Sequence, residues 1–188
     1  MPDEPTALFP LKTVLFPGGL LPLRIFEPRY LDMVGRSLKG EQKFGVLMIL
    51  EGSEVGRART AEVGTLAEIV DWHQEADGIL GIVVAGRGRF RVIESTVQGD
   101  GLYVGRIEPL SEASRCPLPR RHAHLAKLLQ QILARLGIQQ RGDEDYEDAS
   151  WVGYRLAEVL PLSLEDRQAC LEMEDPIARL EKLRASLG

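Results

Sequence analysis

The 188-residue sequence contains no asparagine and only two cysteines, Cys116 and Cys170. Without asparagine the chain has no N-glycosylation acceptor, and its turns depend on glycine, proline and aspartate. The two cysteines lie far apart and form no C-x-x-C pair, so the pattern favours neither a disulfide framework nor a zinc cluster. We therefore expect both thiols to be reduced and the fold to depend on an apolar core.

Long apolar runs and an excess of basic charge are also missing. No apolar run approaches the roughly 18 residues that a membrane-spanning helix needs, and the first residues, Met1-Pro2-Asp3-Glu4, are acidic rather than basic as in a signal peptide. The formal net charge of -5 provides no field that would attract nucleic acid or anionic lipid. These absences predict a cytoplasmic protein that does not associate with membranes.

Strands and helices are segregated along the chain. Residues 1–113 show short apolar segments broken by glycine and proline, whereas residues 117–188 show helical periodicity, an order that is typical of an α+β fold with two domains. The predicted strands cover residues 6–11, 21–26, 44–50, 65–72, 79–86, 89–96 and 102–109. Because open sheet edges promote aggregation, we expect these strands to close into a small barrel.

Local motifs place the turns and the helix of the first domain. In Phe16-Pro17-Gly18-Gly19, Pro17 and Gly18 suit the centre of a type II turn. Glu27-Pro28 begins a helix that Gly40 ends, and the polar segment 51–63 is predicted to be a loop. The apolar face of the helix is predicted from Tyr30, Leu31, Val34 and Leu38.

The second domain is predicted to be a bundle of about four helices. Leu125, Leu128, Leu129, Ile132 and Leu136 mark the first helix, which Gly137 ends. The second helix covers residues 144–159 and is followed by Pro161. Ser163-x-x-Asp166 resembles a capping box, and Asp175-Pro176 combines an N-cap residue with proline at the first helical position.

Several motifs occur in the order in which they occur in one known family. They are Leu8-Phe9-Pro10-Leu11, Val14-Leu15-Phe16-Pro17-Gly18, Leu21-Pro22-Leu23-Arg24-Ile25-Phe26-Glu27-Pro28-Arg29-Tyr30, Phe44-Gly45-Val46, Val63-Gly64-Thr65, Asp77-Gly78, Gly86-x-Gly88-Arg89-Phe90-Arg91-Val92, Leu160-Pro161-Leu162-Ser163 and Asp175-Pro176-x-x-Arg179-Leu180-Glu181. The chain thus resembles the N-terminal substrate-binding domain of ATP-dependent Lon proteases. The resemblance implies a PUA-like β pseudo-barrel with one helix, followed by a helical bundle.

The same resemblance implies a protein-binding or peptide-binding module without catalytic activity. The sequence reaches Gly188 without a G-x-x-x-x-G-K-[ST] motif, and none of its lysines has the serine-lysine context of the Lon peptidase domain. We therefore expect no enzyme activity and no cofactor. The expected partners are unfolded or partner polypeptides, with a separate ATP-dependent machine as a candidate recipient.

Metal binding and acid-base catalysis are both disfavoured by the spacing of the relevant residues. On a helix, His122 and His124 point about 200° apart, so they do not suit one ion, and His73 is remote from them in sequence. We expect the histidines to lie on a polar helix face. The acidic residues Asp143, Glu144, Asp145, Glu147 and Asp148 are interpreted as complementing the amide groups at a helix start.

RNA binding is the alternative function. Arg87, Arg89 and Arg91 alternate at strand period and are predicted to share one face, with Phe90 and Val92 on the other. PUA-like domains elsewhere bind RNA, and such a stripe would contact phosphates. However, residues 1–113 contain more acidic than basic residues, which favours a solvated face paired with carboxylates.

An apolar patch around the first turn is the candidate polypeptide-binding site. It consists of Leu15, Phe16, Leu20 and Leu21, and a turn rarely buries every side chain that it carries. The alternative is that these side chains cover the end of the barrel. Nearby, Arg24, Glu27, Arg29 and Tyr30 are interpreted mainly as holding the corner between strand and helix.

Overall fold

The computed structural model of the chain describes residues 5–112, 114–139 and 141–188. The Cα positions cluster into two compact units, Met1–Ser111 and Glu112–Gly188. The seven strands and one helix of the described residues lie in the first unit, and four further helices lie in the second, which is the expected α+β order. The predicted domain end at residue 113 lies outside the described residues, as does the acidic start of the chain at residues 1–4.

The strands and helices have the following bounds. The strands are β1 (Thr6–Leu11), β2 (Leu20–Ile25), β3 (Phe44–Gly52), β4 (Ala58–Thr60), β5 (Val63–Gln74), β6 (Leu80–Val97) and β7 (Tyr103–Pro109). The helices are α1 (Pro28–Leu38), α2 (Ala123–Arg135), α3 (Ala149–Val159), α4 (Leu164–Glu172) and α5 (Pro176–Ser186), with a short 3₁₀ turn at Arg120–His122 before α2.

Five strands close into a barrel. β1 pairs with β7, β7 with β6, β6 with β5 and β5 with β3, all antiparallel. A parallel pairing of β1 with β3, from Ala7 opposite Phe44 to Leu11 opposite Met48, completes the ring. The expected closure is therefore confirmed. β2 joins the side of β6, and β4 joins β3.

β6 is one strand of 18 residues, whereas the sequence predicted two strands separated near Gly86. The glycine is needed for a close contact rather than for a break. Gly86 donates its amide to the Gly19 carbonyl (2.8 Å), and a Cβ at Gly86 would lie 2.1 Å from the carbonyl oxygen of Phe16. The strand can therefore continue beneath the turn that joins β1 to β2.

That turn has the predicted geometry. Gly19 donates its amide to the Phe16 carbonyl (2.9 Å), and Gly18 has a φ of 74°, as the third residue of a type II turn requires. The loop predicted at 51–63 contains the short strand β4. β4 was not predicted because three residues in a polar segment are too few to show a period.

The barrel core lies between the strands and α1. Its buried side chains come mainly from β1, α1, β3, β6 and the end of the β6–β7 turn: Ala7, Phe9, Leu11, Leu15, Ile25, Tyr30, Met33, Val34, Phe44, Val46, Ala67, Ile82, Val84, Leu102 and Val104. On α1 the buried residues are Tyr30, Met33 and Val34. Leu31 and Leu38 are exposed instead, so the predicted apolar face of this helix was partly wrong.

The caps of the later helices follow the sequence motifs. Ser163 Oγ accepts from the Asp166 amide (3.0 Å) at the start of α4, and Asp175 Oδ1 accepts from the Ile177 amide (2.8 Å) at the start of α5. After α2, Gly137 has a φ of 66° and ends the helix as predicted.

α3 begins at Ala149 rather than at residue 144. Asp148 is its N-cap, since its carboxylate accepts from the amides of Ser150 (3.1 Å) and Trp151 (3.3 Å). Asp145 precedes the helix and binds Arg115 (2.7 Å). Glu147 also lies within ion-pair distance of Arg115 (3.8 Å), so the acidic cluster contains one capping residue and two ion-pair partners of a remote arginine. Within the part of the chain that the structure describes, no helix is both long and apolar enough to cross a membrane.

Candidate functional site

A groove with a volume of about 390 Å³ opens in the first unit between the end of β1, residues 21–25 of β2 and the start of α1. We call it the β2 groove. Most of its lining is apolar, with charged side chains at its margin. The lining residues are Phe9, Leu11, Lys12, Thr13, Leu21, Pro22, Leu23, Arg24, Ile25, Phe26, Glu27, Tyr30, Glu54 and Val55.

Alternation along β2 directs apolar side chains into the groove. Leu21 and Leu23 lie opposite Val84 and Ile82 of β6 in the antiparallel register. Side chains of directly opposed residues share one face of a sheet, and Val84 and Ile82 belong to the barrel core. Leu21 and Leu23 are nevertheless only partly buried, so the groove gives access to the margin of the core.

Large apolar side chains also stand at the mouth of the groove. Phe26 is 61% exposed and Val55 is 69% exposed. Each such side chain that a ligand removes from water contributes about 1 to 3 kcal/mol. The groove therefore offers an apolar ligand a favourable contact at its rim as well as along its wall.

Tyr30 contributes a buried polar atom to the lining of the groove. The rings of Phe9 and Tyr30 are in contact, with their centroids 4.1 Å apart and their planes tilted by 32°, and Tyr30 is 4% exposed. Its hydroxyl has no hydrogen-bond partner among the described residues. Burial raises the pKa of Tyr30 to about 12, with the positive charge of Arg29 opposing the effect. The phenol therefore stays protonated and can act as a donor.

Arg29 holds the corner between β2 and α1, the role predicted for it from the motif. Its guanidinium forms an ion pair with Glu27 (2.9 Å) and donates to the carbonyls of Gly101 and Glu54. It also lies over the ring of Tyr30, 4.6 Å from the centroid. These contacts attach the corner to the β6–β7 turn and to the loop after β3. Arg29 therefore has a structural role in this part of the motif.

The predicted apolar patch is only partly exposed. Leu15 and Phe16 are buried, at 3% and 1% exposure, and therefore cover the end of the barrel. These two side chains are buried because the glycine at position 86 lets the turn approach β6 closely. Leu20 is 46% exposed, and Leu21 lines the β2 groove. Of the four predicted residues, Leu21 alone lines the groove, and Leu20 precedes it on β2.

Phe26 and Val55 were not predicted as site residues. Phe26 lies within the longest family motif, immediately before the helix start at Glu27-Pro28, and this position predicts a structural role. Val55 is an apolar residue within the polar segment 51–63. An isolated apolar residue in a polar loop is a weak signal, because single exposed hydrophobic residues are common.

The predicted cationic face does not form. Arg89 is 3% exposed and donates to the Ser111 carbonyl (3.2 Å), whereas Arg87 and Arg91 are exposed. Arg87 forms an ion pair with Glu68 (2.6 Å). A strand alternates strictly only while its ladder is regular, and the β5–β6 ladder shifts register between Thr65 and Ala67, beside this run.

The histidines do not share a polar helix face. His122 is 1% exposed, and its Nε2 lies 3.0 Å from a carboxylate oxygen of Glu181, so the prediction for this residue was wrong. Burial lowers the pKa of His122, an effect that Glu181 opposes. Within residues 5–112, 114–139 and 141–188, no three His, Cys, Asp or Glu side chains are grouped as metal ligands would be.

The comparison with protein families settles the relationship that the motifs indicated. A model of the ATP-dependent protease La (LON) substrate-binding domain matches residues 6–187. The chain belongs to this family. Family membership supports a module that recognises protein substrates, and the described fold, a mainly antiparallel barrel followed by helices, is that of the family.

Individual relatives agree with this assignment. A Lon N-terminal domain protein from Xanthomonas campestris is 38% identical, with a TM-score of 0.82 over 97% of this chain and 98% of that one. The N-terminal domain of a Mycobacterium avium complex Lon protease shares the fold at 18% identity, with a TM-score of 0.68 over 96% of both chains.

Curated full-length relatives are considerably longer. Lon protease 2 from Myxococcus xanthus is 26% identical over 93% of this chain and 22% of its own length. Protein cereblon from Xenopus tropicalis is 35% identical over 57% of this chain and 24% of its own length. The chain thus spans about a quarter of the length of these relatives.

Proposed function

We propose that the chain is a non-catalytic recognition module that binds unfolded or partner polypeptides in the β2 groove. The observation that carries the proposal is the combination of a largely apolar groove with two strongly exposed apolar side chains, Phe26 and Val55, at its mouth. Membership of a substrate-binding family supports the same class of ligand.

The chemistry of the lining supports binding rather than catalysis. The two carboxylates of the groove have structural partners: Glu27 pairs with Arg29, and Glu54 Oε1 accepts from the Lys12 amide (2.8 Å). A catalytic carboxylate requires freedom to exchange a proton with a substrate, and these contacts hold both groups in place. The remaining lining side chains are mainly apolar, which suits segments that are exposed when a protein unfolds.

Binding can be tested with overlapping twelve-residue peptides from casein, a protein without a stable fold. The peptide that binds most tightly is labelled with fluorescein, and its Kd is measured by fluorescence anisotropy. The double variant Phe26→Ser/Val55→Ser removes two apolar contacts worth about 1 kcal/mol or more each, so we expect its Kd to rise at least about tenfold.

A matched control comes from the second unit. Leu136 and Ile138 are 60% and 50% exposed, comparable to Phe26 and Val55, and they do not line the groove. Leu136→Ser/Ile138→Ser should leave the Kd within about twofold, a difference that corresponds to only about 0.4 kcal/mol. Equal weakening in both double variants, or no binding of any casein peptide by the unmodified chain, would contradict the proposal.

A further inference from the structure

The β2 groove runs along a strand edge that is free in the described part of the chain. β2 pairs with β6 on one side, and no other strand of the described residues pairs with it. On the opposite wall, β1 pairs with β7 only from Thr6 to Leu8. The groove is lined by β2 and by the part of β1 beyond Leu8. Both walls are therefore strand segments that have no paired strand on the side facing the groove.

The backbone groups that face the groove can be assigned from the ladder. The Gly86 amide donates to the Gly19 carbonyl, and residues of an antiparallel strand alternate between bonding the neighbouring strand and pointing away from it. Odd-numbered residues of β2 therefore point their backbone groups towards β6. The backbone groups of the even-numbered residues, Leu20, Pro22 and Arg24, point to the free edge. This position suits Pro22, because proline has no amide hydrogen to donate to β6.

We propose that the polypeptide ligand binds as an added β-strand along this free edge. The proposal rests on the proposed function and specifies its mode of recognition. The edge offers amide donors at Leu20 and Arg24 and carbonyl acceptors at Leu20, Pro22 and Arg24. A strand added there directs every second side chain towards the layer of Leu21 and Leu23, so it selects an extended segment with apolar residues at positions i and i+2.

Pro22 argues for a foreign segment rather than a second copy of this chain. If the β2 strands of two copies paired antiparallel about a two-fold axis at their centre, Pro22 of one copy would face Pro22 of the other. The central pair of hydrogen bonds would then be missing, since neither proline carries a donor. An unfolded segment has no fixed register and can place any residue opposite Pro22.

Two substitutions at one position separate backbone from side-chain recognition. Leu20→Pro removes an outward donor, whereas Leu20→Ala shortens the same side chain and keeps the amide. With the fluorescein-labelled casein peptide, we expect Leu20→Pro to raise the Kd at least threefold more than Leu20→Ala does. Conversely, Pro22→Ala adds a donor to the edge and should lower the Kd by roughly three- to tenfold, the effect of one additional hydrogen bond.

Amide hydrogen exchange of the unmodified chain provides a readout independent of mutation. On binding the casein peptide, the amides of Leu20 and Arg24 should become at least tenfold slower to exchange. The amides of Leu21 and Leu23, which already bond β6, should change little. Circular dichroism of each variant establishes that it is folded before its Kd is compared.

The outcomes distinguish the two proposals. If the peptide binds but Leu20 and Arg24 exchange as before and Leu20→Pro matches Leu20→Ala, strand addition is wrong while the proposed function stands. If no peptide binds, the proposed function itself is wrong. Slow exchange at Leu20 and Arg24 that depends on protein concentration without peptide would identify a second copy as the occupant and overturn the proposal.

Discussion

Replacing Arg179 with methionine should destabilise the helical unit severely, although this residue is far from the groove in sequence. Arg179 is fully buried, with 0% exposure. Its Nε donates to the Cys170 carbonyl (2.8 Å), and its Nη2 donates to the Met173 carbonyl and to Tyr154 Oη (3.2 Å). The guanidinium also lies 4.0 Å from the centre of the Tyr154 ring.

The size of the effect follows from the carbonyls that Arg179 satisfies. Cys170 lies in the last turn of α4, and Met173 is the C-cap of that helix, where carbonyls lack intrahelical partners. Leaving a buried acceptor unsatisfied costs about 1 to 3 kcal/mol. The loss for two carbonyls is offset in part because the variant no longer buries a charge. We therefore expect Arg179→Met to lower the free energy of unfolding by about 3 kcal/mol.

The two tryptophans allow the measurement to be assigned to one unit. Trp72 lies in β5 and Trp151 in α3, and the chain has only these two. In a Trp72→Phe background, urea unfolding followed by tryptophan fluorescence therefore reports Trp151 alone. The free energy of unfolding is obtained by linear extrapolation for this background with and without Arg179→Met.

Arg184→Met is the matched control, since it makes the same substitution in the same helix. The Arg184 side chain is 58% exposed and pairs with Glu181 at 2.9 Å, and an exposed ion pair contributes only about 0 to 1 kcal/mol. If Arg179→Met costs less than about 1 kcal/mol, or no more than Arg184→Met, then the carbonyls of α4 do not depend on Arg179 and the reasoning fails.

Two further predictions concern one residue in each unit. Gly86→Ala places a Cβ 2.1 Å from the Phe16 carbonyl oxygen, whereas a Cβ at Gly99 meets no atom within 4 Å. In a Trp151→Phe background, urea unfolding followed through Trp72 should show a loss of about 2 kcal/mol or more for Gly86→Ala and of less than about 1 kcal/mol for Gly99→Ala. Burial raises the pKa of Glu158 from 4.5 to about 7, against the opposing charge of Arg155. The folded state therefore binds this proton more tightly than the unfolded state does. The resulting contribution to the free energy of unfolding is complete below the unfolded pKa and is lost as the pH rises through about 7. The natural chain should lose stability relative to Glu158→Gln between about pH 5 and about pH 8, and parallel stability curves would contradict the assignment.

Much of the fold could be predicted because its determinants are local. The type II turn needs a glycine with positive φ, and Gly18 supplies it. The caps at Ser163 and Asp175 are read from a few neighbouring residues, and so is the helix end at Gly137. The family motifs added the order of the elements, which local patterns alone do not provide.

Side-chain burial was predicted less well because it depends on contacts between remote segments. Leu15 and Phe16 are buried because β6 passes close to them at Gly86, a contact across about 70 positions of the chain that no local period records. Arg89 is also buried through a contact outside its own strand, since its guanidinium donates to the backbone carbonyl of Ser111. The groove depends on such contacts throughout, because it combines residues from β1, β2, α1 and the loop after β3.

The motif from Leu21 to Tyr30 contains two sets of residues with different roles. Pro28 and Arg29 fix the backbone at the start of α1, while Leu21, Leu23 and Phe26 present apolar surface to the groove. Phe26 is 61% exposed and adds little to the fold, whereas Leu21 and Leu23 are partly buried and pack against the barrel core. Changes at Phe26 should therefore cost little stability, and on the proposed function they should alter ligand preference, whereas changes at Leu21 or Leu23 should also weaken the barrel core.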